Sequence, residues 1–277
     1  MMWLMRFPNG RKKALTFSYD DGVRQDKRLV QIMNKYGIKG TFNINSGRVA
    51  ESSIRQNGEE KGRMTLEEAK ACYADGGHEI AVHGFTHPFL EQVPLDSVAY
   101  EIIKDRETLE KEFGYIVKGM AYPMGTLNNE VVNILKSCGI SYARTTVSTE
   151  KFDIPSDWLR MPATCHHNHP KLMEFADSFL NLNVNWTPKL FYLWGHSYEF
   201  DNNNNWETIE KFCQTVGGHE DIWYATNMEI YEYVEAYYRL KTSADGKIIH
   251  NPTSTPVWFA NEQGKTFSVL PGQIITI

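Results

Sequence analysis

The sequence predicts an α/β barrel, a mostly parallel sheet closed on itself and wrapped by helices. Short β-prone runs and amphipathic helical stretches alternate about seven times, the pattern of parallel strands joined by crossover helices. With 277 residues, 42% of them hydrophobic, the chain can build one large core, and this length favours a closed barrel over an open sheet. The residues best suited to proton transfer or metal binding also fall just after the strands, where barrels carry their chemistry on loops.

The first strand is Ala14 to Ser18, running into Tyr19-Asp20-Asp21-Gly22. Leu29, Ile32, Met33 and Tyr36 fall at helical spacing within Arg24 to Tyr36, and Gly37 marks the stop. Ile38 to Asn45 alternates as a second strand, and the polar stretch Glu51 to Gly62 reads as a loop. Thr65 is placed to cap a helix whose first turn holds Glu67 and Glu68, with Gly76-Gly77 ending it. His78 to Val82 is a third strand, opening into His83-Gly84-Phe85-Thr86-His87-Pro88. Asp96 is expected to cap the helix that runs to Phe113. Strands over Ile116 to Tyr122 and Ile140 to Val147 flank a short helix, Asn128 to Cys138.

Lys151 to His169 reads as irregular, and Pro170 to Asn181 as helical. Leu190 to Trp194 is a sixth strand opening into Gly195-His196-Ser197; Trp206 to Val216 is a helix, Ile222 to Thr226 a seventh strand, and Met228 to Leu240 a closing helix. Beyond Leu240 the period shifts to short strands at Lys247 to Ile249, Val257 to Ala260, Thr266 to Leu270 and Ile274 to Ile277. The expected organisation is a barrel over 1–240 and a small β-rich appendage over 241–277.

Net charge is −5 with a pI near 6.0, and no Lys/Arg block argues for a nucleic-acid or membrane partner. The four cysteines lack a CxxC pair, which excludes a Cys-type zinc site of the usual spacing. Met1 to Phe7 is too short for a signal h-region, and no apolar run reaches membrane-spanning length. As written the chain reads as cytoplasmic, with an exported form trimmed of its signal left open. Oligomeric state is not legible.

Asp20 and Asp21, at a strand's C-terminal mouth, can serve one for proton transfer and one for a cation, although most Asp-Asp-Gly runs are solvated turns. His83 and His87 are four apart, so on one helical turn both imidazoles face one ion; hydrogen-bonded or surface histidines are the alternative. An aspartate from another strand end completes three ligands with open positions, the plan of a catalytic divalent metal. Such a donor set suits Zn²⁺, and Co²⁺, Ni²⁺ or Fe²⁺ also fit.

These residues carry a resemblance. Thr16 to Gly22 resembles the first motif of the polysaccharide deacetylases of carbohydrate esterase family 4, the NodB-homology domain, and His83 to Pro88 resembles the second. Tyr122-Pro123-Met124-Gly125 resembles the third, Asp157-Trp158 the fourth, and Leu193-Trp194-Gly195-His196 the fifth, in family order across roughly residues 14 to 240. The resemblance implies a distorted (β/α)7 barrel and metal-dependent removal of N- or O-linked acetyl groups from a carbohydrate. It makes Asp20 the general base, Asp21, His83 and His87 the metal ligands, and His196 the general acid. Pro123, Met124, Gly125, Trp158 and Trp194 would form the oxyanion and substrate pocket, with the Met124 N–H in the donor position. Asp157 is a candidate to orient His196, with a loop or cap carboxylate as the alternative.

The chain departs from the family pattern where an arginine should open the third motif: that position is Ala121. Arg144 and Arg160 are candidates to supply the charge, and a surface role is the alternative for each. Met124 stands where the family has an aromatic, and Gly84 where it has serine or threonine. His166, His167 and His169 read as solvated or groove residues rather than a second metal site. Trp194, Tyr198, Phe200 and Trp206 flank the sixth strand's mouth as sugar-stacking or core aromatics. The competing functions are an allantoinase-like hydrolase of cyclic amides or ureides and a glycan-binding barrel weakened by the missing arginine.

Overall fold

A computed structural model of the chain describes residues 3–49, 54–56 and 59–277. Strand β1 (Leu4–Arg6) precedes the barrel, and β2 (Lys13–Asp20) begins it. Every residue of β2 is buried, because one face looks into the barrel and the other lies under helices. Then follow α1 (Asp26–Lys35), β3 (Gly40–Ile44), β4 (Ile54–Gln56), β5 (Glu59–Lys61) and α2 (Leu66–Ala74). The expected loop Glu51 to Gly62 lies partly outside the described residues, and its described part is an antiparallel hairpin, β4 against β5. Thr65 caps α2 in a reciprocal capping box with Glu68.

Next come β6 (Glu79–Val82), α3 (Leu95–Phe113), β7 (Gly119–Ala121), α4 (Asn129–Ser137) and β8 (Tyr142–Ser148). Pro94, not Asp96, is the N-cap of α3; Asp96 lies within the first turn and its carboxylate accepts from Ser97 N at 2.8 Å. The stretch expected to be irregular, Lys151 to His169, supplies β9 (Met161–Ala163) and β10 (Cys165–His166). These short strands escape a periodicity reading because Pro162 and adjacent polar residues interrupt them. The barrel ends with α5 (Leu172–Leu180), β11 (Lys189–Gly195), α6 (Tyr198–Asn202), α7 (Trp206–Val216), β12 (Ile222–Tyr224) and α8 (Asn227–Tyr238).

The parallel sheet has nine strands, in the order β10-β11-β2-β3-β6-β7-β8-β9, with β12 on the lower half of β2 below β3. Because β9 pairs with β8 and β10 with β11, one continuous segment around Thr164 brings the two sheet ends together. This is a distorted (β/α)7 barrel. Four further strands follow α8 beyond the short β13 (Lys241–Thr242), namely β14 (Ile248–His250), β15 (Val257–Ala260), β16 (Thr266–Val269) and β17 (Ile274–Thr276). They form two small antiparallel sheets, β13-β14-β17 and β1-β15-β16. The second takes in β1 from the start of the chain, and Tyr233 Oη on α8 donates to Arg6 O at 2.6 Å, locking that sheet to the barrel. Among the described residues no helix is long and apolar enough to cross a membrane.

At the strands' N-terminal end Glu79 is buried as a cross-sheet tie. Its Oε1 accepts from Tyr142 Oη at 2.7 Å, and its Oε2 from Thr41 Oγ1 and from Met228 N in the first turn of α8, both at 2.9 Å. Burial pushes this carboxyl from the usual 4.5 up to about 7, against the pull of those three donors. Between those pH values the folded protein keeps a proton that the unfolded chain has released, so this contribution to stability falls as pH rises. Comparing wild type with Glu79→Gln, which cannot titrate, cancels the other groups. Wild type should lead by on the order of 3 kcal/mol more at pH 5 than at pH 8. Denaturant unfolding at both pH values measures this, and equal differences would show that Glu79 does not titrate in this window.

Candidate active site

The top of the barrel opens into a cavity of about 450 Å³, lined by Asp20, Asp21, His83, His87, Trp194 and His196 among others. Asp20 is the last residue of β2 and sits between two imidazoles: its Oδ2 lies 3.8 Å from His83 Nε2 and 3.8 Å from His196 Nε2. Asn43, beside it on β3, donates from Nδ2 to Asp20 Oδ1 at 2.9 Å.

The strongest partner of Asp20 is Arg144. In the parallel register Ala121 of β7 stands beside Arg144 of β8, so the two residues share one face of the sheet. The alanine methyl leaves room, and the fully buried guanidinium crosses the barrel so that Nη2 bonds both carboxylate oxygens of Asp20. Trp194 covers the cation, its ring centroid 4.6 Å from Cζ. Burial alone would raise the Asp20 carboxyl, but Arg144 above all, with His196 also contributing, holds it far below the usual carboxylate range. Arg160 instead donates to Asp157 Oδ2 at 2.8 Å and Asn129 Oδ1 at 2.6 Å.

Asp21, His83 and His87 converge, with one potential ligand atom from each lying within 4.8 Å of the others. Asp21 has a left-handed φ of 80° and His87 one of 63°, strained values for residues with side chains. The Asp21 turn is fixed by its N–H, which donates to Asn43 O at 2.9 Å. His83 is gripped by its backbone, N donating to Asp105 Oδ2 at 3.0 Å and O accepting from Asn45 Nδ2 at 2.5 Å. Gly84 next to it has φ 76°, and an added Cβ would sit 2.9 Å from Pro123 Cγ, which accounts for glycine where a larger residue was expected.

A divalent cation fits these residues. The His83 Nδ1 hydrogen bond to Ala121 O, at 2.9 Å, leaves the Nε2 lone pair facing the cavity. Burial lowers His83 and brings His87 to about 4, so both rings are neutral donors at physiological pH. Burial would raise Asp21, but the charges beside it, His196 and Arg63, hold its carboxyl below the usual aspartate value. Arg63 donates to Asp21 Oδ1 at 2.9 Å and to its backbone O at 3.2 Å, holding the carboxylate in orientation.

His196 follows β11. Its Nδ1 is 2.7 Å from Glu199 Oε1, a contact absent from the sequence reading, in which Asp157 was the candidate. The Asp157 carboxylate is engaged by Arg160 and Leu159 N instead. Burial disfavours a charged His196, yet Glu199 and then Asp20 raise it above the ordinary histidine value. The signal for Glu199 was its spacing three residues on, in the first turn of α6.

Met124, with φ 57°, and Gly125 line the cavity beside Trp194, while Pro123 is buried under Gly84. Trp158, expected in the pocket, does not line this cavity; it packs edge-on against Tyr231, 5.3 Å between centroids, on the core cluster that lies behind Trp194. Tyr198 lines the cavity, but Phe200 and Trp206 belong to the core. His167, expected in a solvated segment, is fully buried between Tyr19 and Phe200. His166 lies 3.4 Å from Glu199 Oε1, and His169 3.5 Å from Glu150 Oε1.

A family model described as polysaccharide deacetylase matches residues 8–143, ending one residue before Arg144. The chain is 24% identical over 130 residues to the uncharacterized protein YlxY of Bacillus subtilis, covering 47% of this chain and 36% of that one. It is also 24% identical over 140 residues to the peptidoglycan-N-acetylglucosamine deacetylase PgdA of Listeria monocytogenes, covering 50% of this chain and 26% of that one. The chain thus spans little more than a third, at most, of the curated relatives it matches. Among solved structures, the Xyl-CE4 domain of a xylanase from the hindgut metagenome of Trinervitermes trinervoides superposes with a TM-score of 0.54 at 16% identity, covering 86% of this chain and 99% of that one. A family 4 acetyl xylan esterase from Clostridium thermocellum, solved with a cobalt ion, gives 0.51 at 16% identity, covering 79% and 90%. With the ordered motifs, the barrel and the matched segment together, the chain belongs to the polysaccharide deacetylase family, carbohydrate esterase family 4, with its NodB-homology fold.

Proposed function

We propose that this protein is a metal-dependent hydrolase that removes N- or O-linked acetyl groups from a carbohydrate. The observation that carries the reading is the position of ionised Asp20 midway between His83 and His196, with Arg144 fixing its charge. Asp21, His83 and His87 would hold the cation, Zn²⁺ by preference with Co²⁺, Ni²⁺ or Fe²⁺ also suited, and its chemistry there is Lewis acidity toward the acetyl carbonyl and a water.

Asp20 takes a proton from the attacking water as the new O–C bond forms. The Met124 N–H is the proposed backbone donor to the developing oxyanion. His196, protonated at Nε2, gives that proton to the leaving nitrogen or oxygen as its bond to the acetyl carbon breaks, and acetate departs. The proton on Asp20 then returns to His196, restoring both groups. The opposed environments of the two side chains suit these roles: a guanidinium keeps the base ionised, and carboxylates keep the acid protonated. The complete Asp-His-His set argues against the allantoinase-like alternative. The contact of Arg144 with Asp20 argues against a weakened, purely glycan-binding barrel.

The direct test is acetate release from acetylated xylan and chitooligosaccharides by the metal-loaded protein. Asp20→Asn should lower kcat by roughly 10²- to 10⁴-fold while retaining bound metal. His83→Ala should lose the metal itself, read by elemental analysis after dialysis. Metal-loaded wild-type protein that releases no acetate across the panel would sink the proposal.

Arg144→Met makes a second prediction. Without the guanidinium the Asp20 carboxyl rises, so the acidic limb of kcat/KM should move to higher pH. Stability should drop by about 3 kcal/mol or more because a buried carboxylate is left alone. Adding Asp20→Asn should recover much of that stability without recovering activity. An unmoved acidic limb would mean that Arg144 does not tune the base.

A further inference from the structure

We infer that Glu199 is the positioning residue for His196, holding the imidazole with Nδ1 turned away from the cavity and Nε2 turned toward Asp20. The inference rests on the reading above, in which His196 protonates the leaving group, and it adds a residue that the family's ordered motifs do not point to.

Three observations carry it. First, Glu199 Oε1 is 2.7 Å from His196 Nδ1, and the opposite ring nitrogen, Nε2, is the one 3.8 Å from Asp20. A carboxylate accepts only, so Nδ1 bears a proton and the ring's orientation is set. Second, the carboxylate is held from both sides. Asn168 Nδ2 donates to Oε2 at 2.5 Å, His167 Nε2 lies 3.3 Å from the same oxygen, and His166 Nε2 lies 3.4 Å from Oε1. Third, the backbone between acid and partner is pinned, because Ser197 Oγ donates to the buried Asp26 Oδ1 at 2.5 Å, tying this turn to α1. Gly195 is required beside it: an added Cβ would lie 2.0 Å from His167 Nδ1, in the ring that backs the Glu199 carboxylate. Asp157 is paired with Arg160 and leaves the position to Glu199.

The test compares two acetyl esters in the metal-loaded enzyme. 4-Nitrophenyl acetate expels a leaving group that needs no proton, whereas an acetylated sugar alcohol needs one. Glu199→Gln keeps the side chain's size and removes its charge. It should lower the ratio of the sugar-ester kcat to the nitrophenyl-ester kcat by roughly 10- to 100-fold, with little change in KM for the sugar ester. His196→Ala should show the same selective loss, larger in size. The ratio of the two rates is independent of how much protein is folded, so a partly unfolded variant still reports, and Glu199→Asp should restore part of the ratio. If His196→Ala lowers both esters alike, the acid role of His196 fails and this inference with it. If His196→Ala is selective and Glu199→Gln is not, only the role of Glu199 is overturned.

Discussion

Arg144 and Asp20 are both withdrawn from water at the centre of the barrel, and neither charge is tolerable there without the other. The guanidinium is fully buried and the carboxylate is 2% exposed. Removing such ions from water costs several kcal/mol each, and only close geometry with further polar contacts repays it. Here Asn43 supplies a donor to the carboxylate and the Trp194 ring a face for the cation. The interaction therefore joins β8, β2, β3 and β11 in one arrangement: a slip of β8 by one residue would turn Arg144 outward and strand the acid. The same contact that registers the sheet holds Asp20 in the ionised form that a proton acceptor needs.

Around this pair the backbone departs from relaxed geometry where the proposed chemistry lies. Asp21, His87 and Met124 all have positive φ, and each follows the end of a barrel strand or lies in the loop after it. Such conformations cost on the order of 1–3 kcal/mol each and persist where surroundings over-determine them. The surroundings do so here. Asn43 O fixes the Asp21 amide, Glu101 holds both N and Oγ1 of Thr86 before His87, and Tyr122 O takes the Gly125 amide beyond Met124. The mouth is a rigid rim whose side chains are aimed by its backbone.

What was legible in the sequence follows from this construction. The Asp-Asp-Gly turn, the HxxxH-Pro turn and the Gly-His pair at the end of β11 are local features at strand ends, so their identities and their common placement could be read directly. His83 and His87, however, meet across a loop with positive φ at Gly84 and His87, and not on the helical turn their spacing suggests. The partners that tune them come from elsewhere in the fold. Arg144 reaches Asp20 only because β7 and β8 pair in a register that sets it beside Ala121, and spacing does not reveal pairing. Asp157 fitted its motif by order along the chain, but its neighbour Arg160 claims the carboxylate. The pairing of β1 with β15, near the two ends of the chain, depends on antiparallel contact across the whole molecule. β9 and β10 are too short to show any period, yet they close the barrel.

His83 and His196 carry the same side chain a few ångströms from the same aspartate, and the difference between them lies at the far nitrogen. His83 Nδ1 meets a neutral carbonyl, Ala121 O, in a fully buried site, so burial prevails and the ring stays uncharged with Nε2 free to donate a lone pair. His196 Nδ1 meets an anion, Glu199, at a position 22% exposed in its side chain, and that carboxylate together with Asp20 and Asp21 outweighs burial in favour of the charged ring. A neutral imidazole suits a metal and a charged one suits a leaving group in need of a proton. In the proposed reaction the two histidines could not exchange roles without exchanging those partners. The division of labour is thus written one bond behind the residues that would face the substrate.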